Sequence, residues 1–219
     1  MPQRQPHILL ASASPRRREL LGRLPVTFTV KPTDVDEDGL TASYSGAPEE
    51  LALHLARHKA VAAAQWADAT VDAVLTADTT VSLDGVFLGK PRDAADAWSM
   101  LRQLRDRTHI VATGIVLLVP ITGEQRTCLR QTPVTMRDYS DEEIAAYIAT
   151  GDPFDKAGSY AIQHAVFQPV ARIAGCATNV IGLPICIIAT LLHELALLPA
   201  QPTPSPTNCP WDTRCQRQQ

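Results

Sequence analysis

The amino-acid sequence predicts an α/β fold with a largely buried sheet. Strand-like apolar runs alternate with helix-like runs along most of the chain, an order typical of sheets covered by helices. The chain has 219 residues, of which 45% are hydrophobic and 20% charged, and this suits one sizeable globular domain. Turn-forming dipeptides and capping residues separate the runs, so the starts of several elements are also predicted.

The predicted elements follow one another in a regular order. We expect strands at residues 7–11, 26–31, 72–77, 109–119 and 132–139, and helices at residues 15–24, 48–67, 93–106 and 140–150. Ser14 followed by Pro15 marks the start of the first helix. Asp93 marks the start of the third, and Ser140 with Glu143 forms a capping box for the fourth.

Charge and hydropathy exclude several classes of protein. A net charge of −3 predicts no broad surface for a nucleic-acid polymer. The longest apolar run, residues 180–198, is interrupted by Gly182 and Pro184, so it predicts a buried strand leading into a helix and no contact with a membrane. The chain shows no signal-peptide pattern, and its five cysteines are odd in number and form no CxxC, so we expect reduced thiols in a cytoplasmic protein.

Composition also divides the chain into two parts. Residues 1–198 carry all the predicted elements and form the predicted domain. Residues 199–219 are rich in proline and glutamine and are expected to form a disordered tail.

Three consecutive arginines, Arg16, Arg17 and Arg18, occupy the first turn of the first predicted helix. Positive side chains are unfavourable there because the helix dipole is positive at its N-terminus. The same N-terminus offers backbone N–H groups to an anion. Either water tolerates the charge, or an anion binds at this turn.

Residues 77–93 contain an Asp-Gly dipeptide between alternating apolar residues, which predicts a two-residue β-hairpin. Extending the register from that turn places Lys90 opposite Thr79 and next to Asp78. Asp78 also follows an apolar run, and sites in α/β folds commonly lie where a strand gives way to the surface. The alternative is a structural ion pair on a hairpin.

Two further segments carry polar groups on irregular backbone. Residues 33–39 form an acidic loop, in which Asp36 and Glu37 offer the oxygen ligands that divalent cations prefer. Residues 151–163 contain glycine and proline and end at Gln163, a half-buried amide that can donate and accept at the edge of a planar base. The alternative for both segments is a solvent-facing loop.

Two histidines and a lysine of the second predicted helix are candidate site residues. His54 and His58 have the spacing of a zinc pair, but no third ligand accompanies them, so we expect helix surface. Lys59 either directs its charge at a site or extends into solvent.

Together, the arginine turn, Lys59 and Lys90 accompany three carboxylate-bearing segments in an otherwise acidic protein. Basic groups at a helix N-terminus and carboxylates for a divalent cation are the parts needed to hold a polyphosphate and attack it. The sequence has no GxxxxGK[ST], GxGxxG or GxSxG motif, so the common P-loop, dinucleotide-binding and serine-hydrolase classes are excluded.

Four segments, in this order, resemble the Maf family of nucleotide pyrophosphatases: LLASASPRRRELL (9–21), ADTTVSLDGVFLGKPRD (77–93), GDPFDKAGSYAIQ (151–163) and NVIGLPI (179–185). The resemblance covers residues 7–198 and implies a twisted mixed sheet with flanking helices and two lobes around a central cleft. It also implies hydrolysis of nucleoside triphosphates to the monophosphate and pyrophosphate with Mg²⁺, Mn²⁺ or Co²⁺. A homodimer and a housecleaning role against modified nucleotides are further implications.

The resemblance assigns roles residue by residue. It implies that Asp78 is the catalytic proton acceptor and that Glu37 and Asp78 hold the metal. The substrate-binding residues that it implies are Ser14, Arg16, Arg17, Lys59, Thr79, Lys90 and Gln163. Of these, Arg17, Thr79 and Gln163 determine specificity and resemble the branch of the family that acts on dTTP and UTP. The chain departs from the family at His58, where many relatives carry glutamate, and at residues 173–179, where a Ser-Tyr pair is more usual.

Two other functions remain open from the sequence. One is a non-catalytic regulator of septum formation or cell division that senses nucleotides, for which nucleotide would stabilise the protein without release of pyrophosphate. The other is a pyrophosphatase for a modified purine nucleotide such as 7-methyl-GTP.

Overall fold

A computed structural model describes residues 4–199 and contains a seven-stranded mixed sheet flanked by helices. The strands are β1 His7–Leu10, β2 Thr27–Val30, β3 Ala73–Leu83, β4 Val86–Leu88, β5 Thr108–Leu118, β6 Gln125–Met136 and β7 Val170–Ile173. The helices are α1 Pro15–Leu21, α2 Glu37–Ser43, α3 Pro48–Ala64, α4 Ala94–Leu104, α5 Asp141–Ala149, α6 Ala177–Ile181 and α7 Ile185–Glu194, with 3₁₀ turns at Asp152–Asp155 and Ala157–Ser159. The predicted α/β fold with a mixed sheet is confirmed.

The sheet changes from parallel to antiparallel pairing at β3. Its strand order is β2-β1-β3-β5-β6-β7, and β4 also pairs with β3. On one edge of β3, β1 runs parallel as far as Leu75, and β4 runs antiparallel from Val81 onward. Among the described residues, no strand pairs with positions 76–80 of β3 on this edge, while β5 covers the opposite edge from Val74 to Ser82.

Two clusters of buried apolar side chains lie beside this gap. One is built mainly from β1, α1 and α7, and the other from β6, α4 and α5. Ile181 of the first cluster and Tyr160 of the second both line the cleft between them. The two-lobed arrangement around a central cleft is therefore confirmed.

The predicted helix starts are also confirmed. Ser14, Asp93 and Ser140 are N-caps, and each side chain accepts a hydrogen bond from the backbone N–H three residues further on. Ser140 and Glu143 form both bonds of the capping box. These positions are well predicted because a cap depends on local sequence alone.

Two predictions of local structure are wrong. Residues 180–198 contain no strand: α6 ends at Ile181, Gly182 turns the chain with φ 120°, and α7 begins after Pro184. Residues 33–39 are not wholly a loop, because Asp36 caps α2 by accepting from the N–H of Gly39 at 2.9 Å. The helix dipole favours the acidic residues Glu37 and Asp38 in the first turn of α2, so an acidic segment suits a helix start as well as a loop.

The β-hairpin forms with the predicted turn but is shorter than predicted. Leu83 pairs with Val86, and the ladder ends at the pair of Val81 and Leu88. Lys90 therefore does not stand opposite Thr79 in a ladder. The chain leaves the sheet at residue 89, where its carbonyl accepts a hydrogen bond from the N–H of residue 158 at 3.0 Å.

Three expectations concern the rest of the chain. No helix within residues 4–199 is long and apolar enough to cross a membrane. Cys186 in α7 is disulfide-bonded, so the expectation of reduced thiols is wrong at this position. In the predicted tail, residues 200–219 lie outside the described residues.

Candidate active site

A cleft of about 360 Å³ opens at the gap in strand pairing along β3. Its walls come from β3, the first turns of α1 and α2, α3, the segment after β4, the 3₁₀ turns and the end of α6. The residues proposed from sequence as catalytic, binding or metal-holding all line it: Ser14, Arg16, Arg17, Glu37, Lys59, Asp78, Thr79, Lys90 and Gln163. The fold thus brings together residues that are up to 149 positions apart in sequence.

Asp78 lies in the middle of β3, not at the end of a strand as expected from the sequence. It reaches the cleft because the neighbouring strand changes at this point, which leaves one edge of β3 open. Asp78 is 8% exposed, its Oδ1 accepts from the N–H of Thr79 at 2.8 Å, and its Oδ2 accepts from Lys59. Both carboxylate oxygens are held in fixed directions.

The face of β3 that carries Asp78 packs against α3. Thr76 and Ser82, on the same face, hydrogen-bond to the carbonyl oxygen of Ala56 at 2.7 Å and to Oε1 of Glu49 at 2.6 Å. Side chains alternate along a strand, so positions 76, 78, 80 and 82 share this face. These contacts hold α3 against the strand and so bring Lys59 to Asp78.

Gly114 of β5 allows α3 to approach the sheet beside Asp78. It pairs directly with Asp78 in the β3–β5 ladder. A Cβ atom at this position would lie 2.3 Å from the backbone N and Cα of Leu53 in α3, a distance that no packed side chain can accept. The missing side chain therefore sets the separation between the helix and the sheet.

Lys59 holds two carboxylates together inside the cleft. It is 6% exposed, and its ammonium group contacts Asp78 and, at 2.8 Å, Oε1 of Glu37. Lys59 therefore faces the site and does not extend into solvent. A buried ammonium group is tolerated only when it is paired, and here both partners line the cleft.

The pKa of Glu37 is shifted downward by its cationic neighbours. Partial burial raises this pKa, but the hydrogen bond and charge of Lys59, together with the charges of Lys90 and Arg17, outweigh that effect. The Glu37 carboxylate is therefore ionised throughout the neutral range. It gives the cleft a fixed negative charge beside Asp78.

The side chain of Arg17, from α1, lies against the face of β3 that carries Thr79, opposite to the face that carries Asp78. Its Nε donates to the carbonyl oxygen of Gly182 at 2.9 Å, Nη1 to Ser12 Oγ at 3.2 Å, and Nη2 to Thr79 Oγ1 at 3.1 Å. Burial lowers its pKa, while the charges of Asp78 and Glu37 oppose that shift. Three partners fix the plane of the guanidinium group against the wall of the cleft.

The three consecutive arginines have different environments. Arg16 lines the cleft and lies 3.6 Å from Oδ2 of Asp155, and Arg18 is exposed on the outer side of α1. Lys90, across the cleft, is exposed. Arg16 and Lys90 therefore offer positive charge to a ligand from two sides.

Two residues that line the cleft, Lys156 and Ser12, were given no site role from the sequence. Lys156 is buried, lines the cleft, and donates to Asp152 Oδ1 at 2.9 Å and Asp155 Oδ1 at 2.6 Å. Ser12 lines the cleft and accepts from Arg17. The four-residue spacing of Asp152 and Lys156 was the available signal for the first, and no pattern in the sequence distinguished Ser12 from its neighbours.

Gln163 differs from expectation because it is exposed, not half-buried. The neighbouring Ile162 packs against both apolar clusters and anchors the segment instead. The amide of Gln163 lies at the mouth of the cleft.

Tyr160 forms part of the apolar wall, and its hydroxyl is tied to a buried histidine. Tyr160 Oη lies 2.6 Å from Nε2 of His109, and the two rings meet edge to face. Burial lowers the pKa of His109 to about 4, so its imidazole is neutral at neutral pH. Its Nδ1 is buried with no hydrogen-bond partner in the described part of the chain.

His54 and His58 lie on α3, as expected from the sequence. Their ring centroids are 4.7 Å apart, and the ring of Tyr44 lies 4.9 Å from that of His54, tilted by 42°. Within residues 4–199, no group of three or more His, Cys, Asp or Glu side chains is arranged to hold a metal ion. Glu37 and Asp78 remain as a pair of carboxylates that share Lys59.

Comparison with known proteins identifies relatives that cover most of the chain. The chain is 48% identical over 188 residues to the dTTP/UTP pyrophosphatase of Thermomicrobium roseum, an alignment that covers 85% of this chain and 83% of that protein. It is 44% identical over 191 residues to the dTTP/UTP pyrophosphatase of Myxococcus xanthus, covering 87% and 93% of the two chains. The protein of the same name from Syntrophotalea carbinolica is 42% identical over 188 residues, covering 86% and 84%.

A match to a protein family covers the same part of the chain. Residues 7–195 match the family described as Maf-like protein, a range that contains every cleft residue named above. The chain belongs to the Maf family.

Proposed function

We propose that this protein hydrolyses dTTP and UTP to the nucleoside monophosphate and pyrophosphate, and that it uses a divalent metal cation. The observation that carries the proposal is the convergence of Asp78, Glu37 and Lys59 beside an arginine-lined helix N-terminus. Relatives at 42–48% identity carry the name dTTP/UTP pyrophosphatase, which supports the same substrates for this chain.

The charged end of the cleft suits a triphosphate. Ser14 caps α1, so the free backbone N–H groups of this helix face the cleft together with Arg16. Lys90 and Lys59 add positive charge from the other walls. A bound triphosphate would replace Asp155 as the anionic partner of Arg16.

Asp78 is the residue that we propose as the proton acceptor. A water molecule attacks the α-phosphorus, its oxygen forms the new P–O bond, and its proton passes to Asp78. The bond from the α-phosphorus to the bridging oxygen of the β-phosphate breaks, and pyrophosphate leaves with the electron pair. Lys59 and Lys90 stabilise the negative charge that develops on the leaving group.

The donor set at Asp78 and Glu37 fits a divalent cation. Both are carboxylates on one side of the cleft, and Mg²⁺ in phosphoryl-transfer sites is typically held by one or two carboxylates together with substrate phosphates. When bound, Mg²⁺, Mn²⁺ or Co²⁺ would neutralise phosphate charge. Glu37 and Asp78 are the residues that would hold it, and Lys59 contacts both of their carboxylates.

The apolar end of the cleft suits a nucleobase. Tyr160, Ile162 and Ile181 provide apolar surface, and Arg17 and Thr79 provide hydrogen-bonding groups at its inner edge. Gln163 at the mouth adds an amide. We propose that Arg17, Thr79 and Gln163 select the base.

A screen of product release tests the function. The purified protein is incubated with dTTP, UTP, CTP, GTP, 7-methyl-GTP and ATP, with Mg²⁺, Mn²⁺, Co²⁺ or EDTA. We expect stoichiometric monophosphate and pyrophosphate from dTTP and UTP, and no activity in EDTA. Release of inorganic phosphate and a diphosphate would refute the cleavage position. Thermal stabilisation by dTTP without turnover would favour a nucleotide sensor, and preferential turnover of 7-methyl-GTP would favour a modified purine substrate.

We also propose that the protein is a homodimer and that it is located in the cytoplasm, as the family resemblance suggests. Light scattering on the purified protein tests the oligomeric state, and cell fractionation tests the location.

A further inference from the structure

A chain of four hydrogen-bonding groups leads from the cleft into the core. Arg17 Nη2 lies 3.1 Å from Thr79 Oγ1, which lies 3.0 Å from Thr113 Oγ1, which lies 3.1 Å from the carbonyl oxygen of Asn179. Arg17 and Thr79 line the cleft, whereas Thr113 and Asn179 are fully buried behind it.

The chemistry of the two ends fixes the direction of every hydrogen bond between them. A guanidinium group only donates, and a carbonyl oxygen only accepts. Thr113 has one hydroxyl hydrogen and must use it on Asn179, so the bond between the two threonines has to be donated by Thr79. Only this direction makes all three bonds at once, and each buried bond left unmade has a cost.

The direction of these hydrogen bonds determines which donors and acceptors Thr79 and Arg17 present to a ligand in the cleft. Thr79 donates its only hydroxyl hydrogen to Thr113 and accepts from Arg17 with one lone pair. Its hydroxyl oxygen therefore has one acceptor site left and no donor. Arg17 has used three of its five N–H groups on protein partners, so two donors remain. The pair therefore presents donors beside a single acceptor.

We propose that Thr113 is a specificity-determining positioning residue, because it forces Thr79 to act as a hydrogen-bond acceptor in the cleft and so selects a base with a ring N–H. Uracil and thymine carry N3–H between two carbonyl groups, which complements an acceptor flanked by donors. Cytosine in the same position presents the lone pair of N3 to the lone pair of Thr79. This inference rests on the proposed function and explains how one neutral hydroxyl contributes to the selection of uracil and thymine over cytosine.

Asn179 is held firmly enough to serve as the inner end. Its Nδ2 donates to the carbonyl oxygen of Val111 and to Thr132 Oγ1, both at 3.0 Å. Its own carbonyl oxygen also accepts from the N–H of Gly182 at 2.9 Å. Replacing Thr113 by valine therefore leaves that carbonyl satisfied and changes chiefly the hydrogen of Thr79.

The test compares kcat/KM for UTP and CTP in Thr113→Val and Thr113→Ser. In the valine variant the Thr79 hydrogen is free to donate to N3 of cytosine, so we expect the UTP/CTP ratio to fall roughly three- to tenfold, the value of one neutral hydrogen bond. The serine variant keeps the hydroxyl and should keep the parental ratio. Thr113→Ala, which also lacks the hydroxyl, should behave as valine does and replaces it if the valine variant fails to fold.

Thr76→Val is the matched control. Thr76 is also a fully buried threonine whose hydroxyl donates to a backbone carbonyl, but it lies on the other face of β3, outside the cleft lining. It should lower Tm and leave the UTP/CTP ratio unchanged. An unchanged ratio in a folded, active Thr113→Val or Thr113→Ala protein, or equal shifts for valine and serine, would overturn the inference. A parental protein that releases no pyrophosphate from UTP would instead overturn the proposed function, and this inference with it.

Discussion

The two faces of β3 at the cleft are built differently. Asp78 faces α3, where Lys59 joins it to Glu37 in a cluster of charges. Thr79, the next residue, faces the other way into an ordered series of hydrogen bonds that runs from Arg17 to buried Thr113. Because adjacent side chains on a strand point to opposite faces, one step along the chain separates the groups proposed for chemistry from those proposed for recognition.

The difference teaches that each face should respond to a different kind of change. Removal of charge on the Asp78 face should affect turnover. Changes of hydrogen-bonding geometry on the Thr79 face should affect the choice of base and the stability of the wall behind it.

Asp78→Asn on the α3 face should have the largest effect on activity. Loss of a positioned general base typically reduces the rate about 10²- to 10⁴-fold, so kcat on UTP should fall within that range while circular dichroism stays parental. Lys59 keeps Glu37 as a partner, so the fold should persist. Asp38→Asn on the exposed side of α2 is the control and should retain parental kcat. Parental turnover by Asp78→Asn would show that the Asp78 face does not supply the base.

On the Thr79 face, buried His109 should make the stability of the protein depend on pH. The pKa of buried His109 is lowered to about 4 from 6.5, so between these values the unfolded state binds a proton that the folded state does not. Stability conferred by neutral His109 is complete above pH 6.5 and is lost as the pH falls toward 4, by about 3 kcal/mol in all. Urea unfolding at pH 7 and pH 4.5 should show this loss in the parent and a smaller one in His109→Gln. Equal losses in the two proteins would contradict the assignment.

Arg17→Lys should affect recognition more than chemistry. Lysine cannot reproduce three hydrogen bonds from one planar fork, and bonds of charged groups are worth about 1.5–3 kcal/mol. We expect kcat/KM for UTP to fall by about one to two orders of magnitude, chiefly through KM, and UTP/CTP selectivity to weaken. Arg18→Lys, one residue away and exposed, should change neither. An effect confined to kcat would place Arg17 with the catalytic face.

Glu37→Gln tests the cluster of charges formed by Glu37, Lys59 and Asp78. The expected effect, a change in stability, is the smallest of the four. The pKa of Glu37 lies below its ordinary value of 4.5, because the cationic groups around it outweigh burial. The stabilisation that this carboxylate provides is present above pH 4.5 and is lost as the pH falls through the lowered folded pKa. The difference in Tm between the parent and Glu37→Gln should therefore be constant from pH 7 to 5.5 and should shrink in more acidic buffer. A difference that grows on acidification would exclude a favourable Glu37–Lys59 interaction.

Features that depend on short stretches of sequence were predictable. Ser14, Asp93 and Ser140 were recognised as caps because each needs only a backbone N–H three residues ahead. The motif resemblance also named the side chains that line the cleft. Their roles in the reaction stay predictions.

Features that depend on long-range pairing were not predictable. The sequence suggested a strand end at Asp78, whereas the opening arises where β1 stops and β4 begins along an unbroken β3. The helical path after Gly182 was missed because an apolar run suits a buried strand and a buried helix equally. The inner partner Thr113 gave no signal, since it acts through a contact with a residue 34 positions away.

Gly114 gives the protein a point of vulnerability outside its cleft. The residue does not line the cleft, yet a side chain there would collide with the backbone of α3 at Leu53 and should move Lys59 away from Asp78. In a genetic screen, Gly114→Ala should have the same phenotype as a substitution in the active site, although its sheet is correctly assembled. A side chain at position 114 should therefore cause loss of function, even though the position does not line the cleft.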